Sequence, residues 1–152
     1  MAMGAGLVSV AVARADGDAV TTCGFLVDTY CLGVKNAVPP TTTDLDELPY
    51  FLGDFFQAYE SGAVKAPIDL ARHLVFGAVD YAHGLGFDPH RDFYSSAPHL
   101  GTWDPPSLIT FGLGGKPYFQ QGPYDNPDRI IRALDKSVGP GNYHFTAVAI
   151  GR

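Results

Sequence analysis

The sequence predicts an α+β domain with a mostly antiparallel sheet of about five strands and about three helices. Three observations carry this. Two β-branched apolar runs, residues 6–14 (GLVSVAVAR) and 19–28 (AVTTCGFLVD), flank an Asp16-Gly17-Asp18 turn, which is the signature of a hairpin. Residues 68–84 (IDLARHLVFGAVDYAHG) hold the 3.6-residue periodicity of a helix. The remaining elements follow at hairpin-length spacing, in the order ββ-αα-ββ-α-β, which segregates helices and strands as α+β domains do.

In order along the chain, the first two strands are nearly continuously apolar, so both are expected to be central and covered. Gly24 inside the second marks a bulge or a close approach. Residues 29–38 leave this strand in a short segment around Gly33, and residues 38–43, with Pro39 and Pro40, read as a linker loop. Thr43 or Asp44 is placed to cap a helix that reaches about Tyr59, with Pro49 in its first turn and Leu48, Phe51, Leu52, Phe55 and Phe56 on its apolar stripe. In the helix after Pro67, Leu70, Leu74, Ala78 and Tyr81 share one face, and Asp69, His73, Asp80 and His83 lie nearly opposite. Gly84 and Gly86 end it. Residues 86–93 (GFDPHRDF) form a loop, and residues 95–106 form a Pro-rich loop that carries the single tryptophan, Trp103. Residues 108–111 and 116–121 read as a second hairpin around a glycine turn. Asp125 or Asn126 caps a helix over 127–137, and residues 143–150 form a last strand.

The 152 residues are expected to make one domain, with residues 1–5 loose. At 46% apolar and 17% charged the chain has the composition of a folded protein. The net charge is −6 and the ten Lys and Arg residues are scattered, so no nucleic-acid footprint is visible. No run is long enough to span a membrane, and the N-terminus lacks the basic start of a signal peptide. Cys23 and Cys31, eight positions apart in one apolar segment, read as reduced buried thiols, and a cytoplasmic location follows.

Three groups of residues could carry chemistry. His83, Asp88, His90 and Asp92 have the donor types that hold a divalent metal, which would turn a bound water into a nucleophile, although their spacing fits no established metal motif. Asp28, Tyr30, Cys31, Lys35 and Asn36 follow the end of a central strand, a common place for a pocket. There Asp28 and His90 are candidate catalytic groups, Lys35 an anion clamp, and Cys31 a nucleophile if a histidine lies beside it. Lys116, Tyr124 and Asp125 stand near a helix start, where an anionic ligand could bind. Each residue also has a plain role open to it: solvated helix face, turn hydrogen bond, buried thiol or helix cap.

Three blocks carry a resemblance. Residues 26–37 (LVDTYCLGVKNA), 77–93 (GAVDYAHGLGFDPHRDF) and 109–125 (ITFGLGGKPYFQQGPYD) resemble a family of bacterial and archaeal hypothetical proteins with LVDxxCLGVKxA, YAxxLGFxPHxDF and FGxxGKPxFxxGPYD segments. The resemblance implies that the blocks are parts of one domain, and it brings no activity with it. The functional expectation is a small cytoplasmic enzyme or ligand-binding domain, with its site between the Asp28–Lys35 turn and the Asp88–Asp92 loop. Its reaction would be metal-assisted hydrolysis of a polar or phosphate-bearing small molecule. The rival is an accessory module, possible as an oligomer, that docks on a protein partner through Phe51, Phe55, Phe56 and Trp103.

Overall fold

The computed structural model describes residues 2–4, 6–59 and 62–146. Four strands, β1 (Ala2–Gly4), β2 (Leu7–Asp16), β3 (Ala19–Asp28) and β4 (Gly33–Asp44), form an antiparallel sheet in chain order. β2 and β3 pair in unbroken register from Leu7↔Asp28 to Asp16↔Ala19, as the turn signal requires. Alternation then sorts their side chains. Val8, Val10 and Val12 of β2, with Cys23, Phe25 and Val27 of β3, face one side and are buried.

Two helices cover that face, α2 (Ile68–Gly84) and α3 (Phe93–Leu100), through Ala71, Leu74, Val75, Ala78, Phe93 and Leu100. The buried stripe of α2 is rotated from the expected one, and Leu70 stands exposed. Gly33 takes a positive φ of +70° in the turn, and a Cβ there would lie 2.9 Å from the Ala78 carbonyl and from the Ala82 methyl. The turn can therefore press onto α2 only as glycine. The opposite face of the sheet takes α1 (Leu48–Phe55), whose Phe55 ring lies over Gly24. Tyr59 donates or accepts a 2.8 Å bond with Ser9 there. A second core joins Cys31 and Leu32 to Ala82, Leu85 and Phe87. Phe119 and α4 (Pro127–Ser137), through Ile130 and Leu134, complete it.

Four expectations are revised. Residues 38–43 are not a linker: β4 runs through them to Asp44, and the next helix begins with a 3-10 turn at Leu45–Glu47 without a side-chain cap from Asp44. The prolines fall where β4 carries one residue more than β3, between Gly24↔Val38 and Thr22↔Thr41, so no ladder hydrogen bond is asked of them. Residues 95–106 are not all loop, because α3 takes Pro98 near its end and buries Phe93, Ser96 and Leu100. The second hairpin does not form beyond a single Leu113↔Lys116 bridge. The backbone on its two sides bonds instead to the β3–β4 turn, Gly112 N–H to the Thr29 carbonyl and Tyr118 N–H to the Tyr30 carbonyl. β5 (Tyr118–Gln120) then pairs in parallel with β6 (His144–Thr146). Of the last expected strand, residues 147–150 lie outside the described residues, as do residues 1 and 5 of the expected loose N-terminus.

Candidate functional site

The site grows from the end of β3. Asp28 is 6% exposed and closes the turn: its Oδ1 accepts the Tyr30 N–H at 2.9 Å and its Oδ2 the Leu32 N–H at 3.0 Å. Burial raises the carboxyl above its usual range against the opposing pull of these bonds and of Lys35. The two bonds close the turn between β3 and β4. One step on, β3 advances by one residue, Val27 to Leu26, while β4 advances by two, Val34 to Asn36. Lys35 is the extra residue of that shift, and such a bulge re-aims a side chain. The Lys35 Nζ reaches the Asp125 carboxylate at 2.8 Å, with the two side chains only 19% and 13% exposed. The same Asp125 Oδ2 accepts the Gly122 N–H at 2.8 Å, which fixes the turn ahead of α4.

A third segment arrives from the loop after α2. The His90 N–H donates to the Val34 carbonyl at 2.9 Å, so this loop is stitched to the edge of β4 beside Lys35. The His90 Nδ1 accepts the Asp92 N–H at 3.1 Å. With Nδ1 so occupied, the neutral ring carries its proton on Nε2. The Asp92 carboxylate sits 3.8 Å from Nδ1 and adds only a loose charge contact.

These three segments enclose a cleft of about 270 Å³. Leu32, Val34, Phe87 and Ile130 give it apolar lining, and Lys35, Asp125, His90, Asp88, Tyr124 and Arg129 supply its polar groups. Asn126 completes the rim while its Oδ1 caps α4 by accepting the Arg129 N–H at 3.2 Å. The arrangement can hold an anionic group between Lys35 and Arg129 and offer it a proton donor in His90. The three sequence blocks thus meet at one place: Gly33 on Ala78, Val34 on His90, and Lys35 on Asp125.

Of the residues singled out in sequence, Lys35, Asp88, His90, Tyr124 and Asp125 line this cleft. Asp28 lies behind it as the brace of the turn. Cys31 is fully buried in the second core, and desolvation holds its thiol at about 12. A nucleophile needs the thiolate, so Cys31 packs rather than reacts. Tyr30 stacks on Tyr118 with ring centres 6.0 Å apart and lies against Gly6. Asn36 lines a hollow on the far face with Gly24 and Phe55, and its Oδ1 accepts the Ala37 N–H. Lys116 is engaged in its own glycine turn, away from the cleft lining.

The expected metal ligands do not converge. His83 and Asp88 face each other at 3.7 Å in solvent, and His90 pairs with Asp92 instead. Among the described residues, no group of three or more His, Cys, Asp or Glu side chains is placed to hold a metal ion. On the same helix, Asp69 pairs with Arg72, and His73 packs edge-on to Trp103. Sequence reasoning missed Arg129 and Ile130. With Asn126 as the cap, they stand three and four positions on, the spacing that puts all three on one side of the first turn.

No protein-family model, no curated protein and no solved structure matches the chain. None of the helices among the described residues is long and apolar enough to cross a membrane.

Proposed function

We propose that the protein binds a small organic molecule through an anionic group in the Lys35–His90–Arg129 cleft, and that His90 serves there as acid–base group in a hydrolytic reaction. The observation that carries this is the convergence of a largely buried ion pair, a half-buried imidazole and an arginine on one apolar-lined cleft. The reading gives the three sequence blocks a common purpose, since each contributes to the wall of the cleft. Two free, buried cysteines support a reducing, cytoplasmic setting.

The test is equilibrium binding of small carboxylates and phosphate monoesters to the wild type and to Arg129→Ala and His90→Ala variants. Saturable binding that weakens at least tenfold in Arg129→Ala supports the proposal. Equal affinity across all three proteins would place any ligand elsewhere and defeat it.

A second reading, docking on a protein partner, draws support from a different surface. An apolar hollow runs between Val10–Ala13 of β2 and Leu48, Leu52, Val64 and Ile68, with Tyr50 and Val64 strongly exposed nearby. Part of the surface expected from sequence is covered internally: Phe55 packs against Phe56 and over Gly24 of the sheet, and Trp103 stacks on Phe76. Light scattering on the purified protein, with Val64→Asp as the control, tests this reading. A complex that Val64→Asp disrupts supports it, and a monomer with no co-purifying protein counts against it.

A further inference from the structure

The cleft is charged but balanced. Four ionised side chains line it, Lys35 and Arg129 against Asp88 and Asp125, two of each sign. A site built only for an anion would carry an excess of positive charge, as phosphate sites do. Lys35 is half committed: it gives one of its three N–H groups to Asp125 and keeps two. Asp88 is held only loosely, 3.7 Å from a solvent-exposed His83, so it is open to another cation. The apolar side chains of Leu32, Val34, Phe87 and Ile130 line the same cleft. The volume, about 270 Å³, falls just below the range of roughly 300–1,000 Å³ that suits drug-sized ligands.

We infer that the ligand is zwitterionic: a free α-amino acid with an apolar side chain, its carboxylate on Lys35 and Arg129, its ammonium on Asp88, and its side chain on the apolar lining. This rests on the reading of the cleft as a ligand site and adds the second charge and the apolar body; a free amino acid has no bond to hydrolyse, so in the hydrolytic reading it is the product, set free when water cleaves an amide or ester of it. A plain carboxylate would leave Asp88 repelling it from the same lining, and a phosphate dianion more so. An ammonium turns that repulsion into attraction, and an apolar side chain gains from leaving water against Leu32, Val34, Phe87 and Ile130.

The test is calorimetric titration with three probes that share one skeleton: L-leucine, 4-methylpentanoate, which lacks the ammonium, and 3-methylbutylamine, which lacks the carboxylate. L-leucine is expected to bind at least tenfold more tightly than either. Asp88→Asn, a change at an exposed side chain whose fold circular dichroism can verify, should remove most of the advantage of L-leucine over 4-methylpentanoate. In that variant 4-methylpentanoate should bind as well as before or better. If 4-methylpentanoate matches L-leucine in the wild type, the inference is overturned while the anion cleft stands. Absence of saturable L-leucine binding also overturns it. The underlying reading falls with it only if the carboxylate and phosphate panel binds nowhere in the cleft.

Discussion

Replacing Lys35 by Met keeps the aliphatic stem of the side chain and deletes the ammonium that meets Asp125 at 2.8 Å. Asp125 is then left 13% exposed, with one remaining bond, from the Gly122 N–H. Removing one partner of a fully buried ion pair costs about 3–5 kcal/mol, because the survivor stays desolvated. Here water still reaches both side chains, so the expected cost is smaller, roughly 1–3 kcal/mol. Asp125→Asn keeps an acceptor for Gly122 but loses its charge, and should cost a similar amount. The double variant leaves no orphaned charge. It should be less destabilised than the sum of the single variants by about 1–2 kcal/mol. Urea unfolding of the four proteins measures that coupling directly. A coupling below about 0.5 kcal/mol, the scatter of independent sites, would show that the pair does not organise the cleft wall and would refute the reasoning.

Gly33→Ala should destabilise by about 2–4 kcal/mol, from the strained positive φ and the contact with Ala78 and Ala82; thermal melting checks it, and a Tm unchanged from wild type would disprove the close packing. Neither Cys23 nor Cys31 should react with a thiol reagent at pH 8 in the folded protein, since burial pushes both thiols to about 12. Both should react in urea, and fast native labelling of Cys31 would contradict its placement. The Asp28 carboxyl has a raised pKa in the folded protein, caused first by burial. Its stabilising contribution is therefore fully present below the unfolded value of about 3.9 and is lost as pH rises through the higher folded value. Stability of the wild type relative to Asp28→Asn should fall with rising pH above about 4; a rise with pH would show that the turn bonds outweigh burial.

Where local pattern and tertiary context agree, the sequence was a good guide. The β2–β3 hairpin carries its turn at Asp16–Asp18 and its apolar alternation in the same stretch. Helix α2 begins after Pro67 and ends at Gly84, where residue chemistry starts and stops helices. Helix α4 is capped by Asn126 through its side chain, as its sequence suggests. The failures share a cause. Pro39, Pro40 and Pro98 read as breaks, yet each is accommodated, the first two by a register shift at a sheet edge and the last near the end of a short helix. Residues 108–121 have a hairpin pattern, but the Thr29 and Tyr30 carbonyls compete for their N–H groups, and only tertiary structure supplies those.

The site was legible to the same degree. That the turn after Asp28 and the loop at His90 belong together was readable as a grouping of polar residues near glycines. The bulge that turns Lys35 toward Asp125 depends on pairing between strands, which one strand's sequence does not contain. Cys31 reads as a buried thiol from its apolar segment, and Leu85, Phe119 and Leu134 arrive from distant segments to bury it in one core. The four supposed metal ligands are close in sequence, yet the turn at residues 84–88 sends His83 and Asp88 to solvent and His90 to the sheet edge.

The central claim is that the Lys35–His90–Arg129 cleft is a ligand site, and amide chemical-shift mapping tests it most directly. Uniformly ¹⁵N-labelled protein would be titrated with a panel of small carboxylates, phosphate monoesters and amino acids. At least one compound should give saturable shifts confined to residues 32–35, 87–90 and 124–130, the three walls of the cleft. Arg129→Ala should abolish them. A panel that produces no saturable shift, or one whose shifts fall along the β2 hollow at residues 10–13 instead, would contradict the account.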